Sequence, residues 1–116
     1  MAAPLGPYTP AVRAGDFVII SGQTGVAGGA LVAGGFDPEL RQVLANLGAI
    51  LDAEGLRRDQ VVKTMVFLTD MGNFADLNGI YMEFFGDHRP ARSCIGVAGL
   101  PVNACVEIEA WVHAPA

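Results

Sequence analysis

Ala104-Cys105-Val106-Glu107-Ile108-Glu109-Ala110-Trp111-Val112-His113, close to the end of the 116-residue chain, alternates in character with a period of two. That period marks a strand with two unlike faces. Val106, Ile108, Ala110 and Val112 form one face; Cys105, Glu107, Glu109, Trp111 and His113 form the other. The first is a core face. The second, by its paired glutamates alone, reads as the wet side of an amphipathic strand, although Cys105 and Trp111 beside them are not ordinary solvent-facing choices. Just upstream, Ala91–Val97 reads as a further strand. A hairpin turning near Gly99-Leu100 would set Arg92 opposite Glu107 and Cys94 opposite Cys105.

Further upstream the pattern changes period. Leu40, Val43, Leu44, Leu47 and Leu51 fall on one helical stripe. Asp37 is placed to cap that helix, Pro38 suits its first position, and Gly55 ends it. Val61–Leu68 is an apolar strand. Asn73 is placed to cap a second helix, which buries Phe74, Leu77, Tyr81, Phe84 and Phe85 and stops at Gly86 before Pro90. Phe17–Ile20 reads as a strand buried on both faces or nearly so. A glycine-rich loop follows it through Gly35, and Met1–Pro10, with three prolines, reads as an extended arm. Strand, helix, strand, helix and two strands predict an α+β layer with both helices on one face of the sheet. The other face then lacks a cover of its own, and a symmetric oligomer is the simplest way to supply one.

Composition points the same way. Hydrophobic residues make up 52% of the chain and charged residues only 16%, lean for a lone domain spanning residues 1–116. A membrane segment does not explain the excess. The uncharged stretch Ser21–Phe36 holds six glycines, and a spanning helix needs roughly 20 apolar residues. Seven basic against twelve acidic residues give a net charge of −5, with no basic cluster to attract nucleic acid. Two cysteines make no disulfide framework, and Met1–Pro10 shows no export signal. The expected location is cytoplasmic.

Candidate chemistry concentrates on two residues. Glu107, among apolar neighbours, would hold its proton more tightly than usual, which suits a general acid or base. Arg92 offers the planar fork that binds a carboxylate through two parallel hydrogen bonds. An ion pair between Arg92 and a strand glutamate accounts for the same residues equally well. Cys94 has no base placed beside it by any motif, so a small buried thiol lining a pocket is the better reading. Two His and two Cys show no zinc-ligand spacing, and the glycine stretch contains no nucleotide-binding motif. No metal or organic cofactor is expected.

Several stretches together resemble the Rid (YjgF) family, in particular its RidA-type enamine/imine deaminases. They are Gly6-Pro7-Tyr8, Ser21-Gly22-Gln23, Val61-Val62-Lys63-Thr64 with Asp70, and Asn78 with Tyr81 and Phe84-Phe85. Pro90-Ala91-Arg92-Ser93-Cys94, Leu100-Pro101 and Val106-Glu107-Ile108-Glu109-Ala110 complete the set. The resemblance implies a chorismate-mutase-like α+β fold with a six-stranded mixed sheet and two helices on one face. It implies a homotrimer with sites between subunits. The implied reaction is hydrolysis of reactive 2-enamino or 2-imino acids, of the 2-aminoacrylate and 2-iminobutyrate type, to 2-keto acids and ammonia, a guard against metabolite damage. Arg92 then matches the arginine that holds the substrate carboxylate, and Glu107 the glutamate that positions the attacking water. Tyr8, Ser21, Gly22, Asn78, Cys94 and Pro101 match pocket-lining positions. A trimer that binds keto acids without turning them over is the alternative.

Overall fold

The computed structural model describes residues 4–116; Met1–Ala3 of the expected arm lie outside the described residues. Strand β1 (Ala11–Ala14) turns back into β2 (Phe17–Gln23). Two short strands, β3 (Val26–Ala27) and β4 (Ala30–Leu31), flank Gly28-Gly29. Both glycines have positive φ, 63° and 84°, the region that a tight hairpin demands and that side chains resist. Helix α1 (Phe36–Ala53), strand β5 (Val61–Leu68), helix α2 (Phe74–Phe85), and strands β6 (Ala91–Gly96) and β7 (Val106–His113) follow.

The main sheet has five strands in the order β1-β2-β7-β5-β6, with β3 and β4 in a separate two-stranded ribbon. The expected six-stranded sheet is therefore corrected to five. The glycine-rich segment folds on itself at Gly28-Gly29 instead of extending an edge. Strand β1 carries no clear alternation that would mark it in the sequence. The expected hairpin between β6 and β7 is also corrected. Strand β6 runs parallel to β5, joined to it through α2, as a helical crossover allows. Strand β5 lies between β6 and β7, antiparallel to β7. Arg92 thus pairs with Thr64, and Glu107 pairs with Phe67.

Helix α1 packs on β2 and β7, and α2 lies beside it. Leu40, Val43, Leu44, Leu47 and Leu51 are all buried, as the stripe predicted, together with Ile50. The helix begins a residue before the expected cap: Gly35 occupies the N-cap position, and Asp37 and Glu39 sit in the first turn. Asn73 occupies the N-cap position of α2 without a side-chain cap bond, while the Asp70 carboxyl accepts the Gly72 N–H just upstream. Val18, Ile20, Val66, Ile108, Ala110 and Val112 complete the core from the sheet.

The sheet's second face has no helix on it. Val12, Ile19 and Trp111 form one row there by register, and Phe67 and Ile95 another. Val12 is 53% exposed, Trp111 44% and Ile95 43%. Phe17, expected to be enclosed on both sides, also opens onto this face, edge-on to Trp111. Lys63, Ser93, Glu107 and Glu109 share this face by register, and large exposed apolar side chains set among polar ones mark an interaction surface. Among the described residues, no helix is long and apolar enough to cross a membrane.

Candidate functional site

Arg92 stands on β6, on the helix-covered face, because its register partner Thr64 points into the core. Its Nη2 donates to Asn78 Oδ1 of α2 at 2.8 Å. The guanidinium also lies 4.9 Å from the Tyr81 ring centre and 5.4 Å from that of Phe74. Phe74, Asn78 and Tyr81 follow at i, i+4 and i+7, so α2 presents all three on one stripe. Tyr81 is itself anchored, its hydroxyl 2.6 Å from Thr64 Oγ1. Two aromatic faces and an amide oxygen fix the plane of the guanidinium without neutralising it. The ion pairs among the described residues are Arg41–Glu83 and Arg57–Asp59. No strand glutamate therefore partners Arg92, which removes the ion-pair reading within the chain.

Cys94 lies two residues along β6 on the same face and packs against the core. Burial pushes its thiol up from the usual value, with Arg92 opposing. Burial also raises Tyr81, against the pull of Thr64 and Arg92. A thiol held protonated is a poor nucleophile. Cys94 is a wall residue in this setting.

Glu107 stands on the other face of the sheet. It is half-buried, and a Cβ built on Gly22 would fall 2.5 Å from its Oε2. Glycine is the residue that lets this carboxylate lie against the irregular stretch of β2, where the pairing with β7 shifts between Ile20 and Gln23. Burial raises the Glu107 carboxyl above the usual range, and neighbouring Glu109 adds to the shift. Next to Gly22, Ser21 Oγ donates to the Thr9 carbonyl at 2.7 Å, which ties the N-terminal arm to β2. The Tyr8 hydroxyl accepts the Leu5 N–H at 3.3 Å, and Tyr8, Leu5, Pro10 and Gly22 line a cleft that runs under the arm to Asn46 and Ile50 of α1.

The predicted residues thus form two groups. Arg92, Asn78 and Cys94 gather on the helix side of an edge strand; Glu107, Gly22, Ser21 and Tyr8 gather around β2 and β7. Arg92 and Glu107 do not meet in one chain. They occupy opposite faces, and two strand spacings with three residues of offset put their Cα atoms roughly 14 Å apart. Pro101 opens the 101–103 turn before β7, where Val102 and Asn103 adopt φ of 55° and 60°. Cys105 departs from its expected face, since it precedes β7 and packs toward Glu39 and the core. Phe74 and Tyr81, which hold Arg92, are legible in the sequence only as helix positions expected to be buried; Tyr81 is buried, but Phe74, at the open end of the stripe, is 39% exposed. Among the described residues, no three His, Cys, Asp or Glu side chains gather as metal ligands.

A family model described as Endoribonuclease L-PSP matches residues 1–114. This chain belongs to the Rid (YjgF) family. Its similarity to other Rid proteins spans nearly its full length. A RutC family protein of Pyrococcus horikoshii is 43% identical over 112 residues, covering 95% of this chain and 89% of that protein. The 2-iminobutanoate/2-iminopropanoate deaminase of Mus musculus is 46% identical over 110 residues, covering 93% and 82%. Among solved Rid structures, E. coli TdcF with bound serine superposes with a TM-score of 0.88 at 38% identity, covering 95% of this chain and 90% of that one.

A Gly22→Ala variant tests the contact around Glu107. The added methyl has no room unless the carboxylate moves. In a deaminase that relies on Glu107, turnover is expected to fall about 10–100-fold, given how steeply rates follow sub-ångström placement, while the melting temperature changes little. A wild-type rate with G22A would show that Glu107 need not lie against β2.

Proposed function

We propose that this Rid protein is a hydrolytic deaminase of 2-enamino and 2-imino acids, built as a homotrimer whose sites take Arg92 from one copy and Glu107 from another. The observation that carries the reading is the ring-clamped Arg92, without an ion-pair partner among the described residues, on the opposite sheet face from a half-buried Glu107. The uncovered face with Val12, Trp111 and Ile95 gives the copies a surface to share. Deaminase relatives and a TdcF structure with bound serine agree with a small amino-acid-like substrate.

The chemistry follows from the side chains. A protonated imine carbon is already electrophilic, so the protein has to hold the acid and aim a water. Arg92 binds the substrate carboxylate in a two-bonded fork, with Asn78 keeping the guanidinium plane fixed. Glu107 takes a proton from the water as its oxygen bonds to the imine carbon. The same carboxyl then returns that proton to the nitrogen and takes the hydroxyl proton as the C–N bond breaks, so that ammonia leaves with a 2-keto acid and carries the last proton away as ammonium. Tyr8, Ser21, Gly22, Asn78, Cys94 and Pro101 wall the site. An RNA-cleaving role, which the family description names, finds little footing on a chain of net charge −5 with no basic cluster.

Complementation between defective copies tests both halves of the proposal. Arg92→Ala and Glu107→Ala chains, each inactive alone on 2-iminobutyrate, are co-expressed with different tags and purified as mixed assemblies. With sites shared between neighbours in a cyclic trimer, about one third of the sites in such mixed assemblies carry both residues intact. Activity near that fraction is expected. Mixed assemblies as inactive as their parents would rule out the shared site, and an inactive wild type would rule out the reaction.

A further inference from the structure

Glu39 is a buried ionisable residue with no part in the reaction as written. It is 6% exposed and lies in the first turn of α1. Its Oε1 accepts the backbone N–H of Cys105 at 2.9 Å. The next peptide group is held as well, since the Cys105 carbonyl accepts the Thr69 N–H at 3.2 Å. The Cys105 thiol, pushed up to about 11 by burial first and then by Glu39, keeps its proton and adds a second donor facing the same carboxyl. On its other side Glu39 meets the segment after β2. A Cβ on Gly25 would sit 2.8 Å from the Glu39 carbonyl oxygen and 2.9 Å from its Cα.

These two contacts lead to the same place. Cys105 precedes Glu107 by two residues, and Gly25 follows Gly22 by three. One residue of α1 therefore touches both segments that bring the Glu107 carboxylate against Gly22. Docking of the helix does not require it, because the buried stripe of Leu40, Val43, Leu44, Leu47 and Leu51 already fixes α1 on the sheet. A buried carboxyl is costly unless its hydrogen bonds are used, and here they are used at the entrance to β7.

We propose that Glu39 is a positioning residue for Glu107, holding the Cys105 N–H and backing Gly25 so that the Glu107 carboxylate stays against Gly22. Its kinetic expression rests on the deaminase reading; its geometric part does not. Glu39→Asp falls one methylene short of Cys105, Glu39→Ala removes the acceptor, and Glu39→Gln keeps an oxygen at the same reach. On 2-iminobutyrate, E39D and E39A are expected to lower kcat about tenfold, with KM within about twofold because Arg92 is untouched. E39Q is expected to stay close to wild type. Independently of turnover, the Glu107 carboxyl midpoint, followed by ¹³C NMR against pH, is expected to move toward that of an exposed glutamate in E39D and E39A but not in E39Q. If E39A does not fold, E39D carries the test. Wild-type kcat and an unmoved midpoint in E39D would overturn the proposal. So would a fall of kcat that tracks melting temperature across the variants and that E39Q shares. Should the wild type leave imines untouched, the deaminase reading falls and the Glu107 titration alone decides the positioning.

Discussion

Arg92→Ala is expected to lower kcat/KM for 2-iminobutyrate by about 10³-fold, since two charge-assisted hydrogen bonds at roughly 2 kcal/mol each are lost together. The loss should exceed that of a surface arginine such as Arg57, whose partner Asp59 is also exposed and whose removal costs little. Arg92→Lys separates charge from shape. A lysine keeps the cation but gives up the planar fork and the stacking over Tyr81 and Phe74, so a residual deficit of about 10–100-fold is expected. Steady-state rates of imine decay, generated by an amino-acid oxidase, measure both variants. Equal rates for R92A and wild type would remove the substrate-carboxylate role.

Glu107→Gln is expected to abolish turnover by about 10²–10⁴-fold, the range lost with a general base, while 2-ketobutyrate binding survives through Arg92. Loss of binding along with turnover would instead make Glu107 a ligand-binding residue and not the general base. The pH dependence carries a sign. Burial and Glu109 make Glu107 hold its proton more tightly, so the ionised, proton-accepting form fails as pH falls through a midpoint above that of an exposed glutamate. The acid limb of wild-type kcat should therefore lie at higher pH than for an ordinary carboxylate, and Glu109→Gln should move it down. Linkage runs the other way for stability. The folded chain favours protonated Glu107 more than the unfolded chain does, so its contribution is present at low pH and lost as pH rises through the raised midpoint. Glu107→Gln is accordingly expected to raise the melting temperature at neutral pH, measured by calorimetry.

Much of this architecture was legible from period and punctuation. The Leu40–Leu51 stripe, the alternation of Val106 to His113 and the stop at Gly86 each express a local rule that the tertiary structure did not override. Pairing was another matter. Two consecutive strands joined near Gly99-Leu100 invite a hairpin, yet β6 joins β5 in parallel because α2 delivers it to the far edge. Nothing in the residues from Val97 to Cys105 announces that they must cross to the other side of β5. The site was legible residue by residue and illegible as an arrangement. Arg92 and Glu107 stood out as chemistry, but a one-residue difference in strand phase decides which face each occupies. The Rid resemblance supplied their pairing, and the sheet placed them on opposite faces. Glu39 lies in the first turn of α1, where an acidic residue ordinarily serves only the helix dipole. Its burial depends on Cys105, 66 positions away, which no local pattern reveals.

The separation of Arg92 from Glu107 across the sheet has a consequence for how this Rid protein behaves on dilution. Under the proposed reading, neither a newly made chain nor one shed from an assembly holds a whole site. Specific activity would then depend on protein concentration, falling faster than linearly once copies part. Assays at nanomolar enzyme and those at cellular abundance would report different catalysts made from the same sequence.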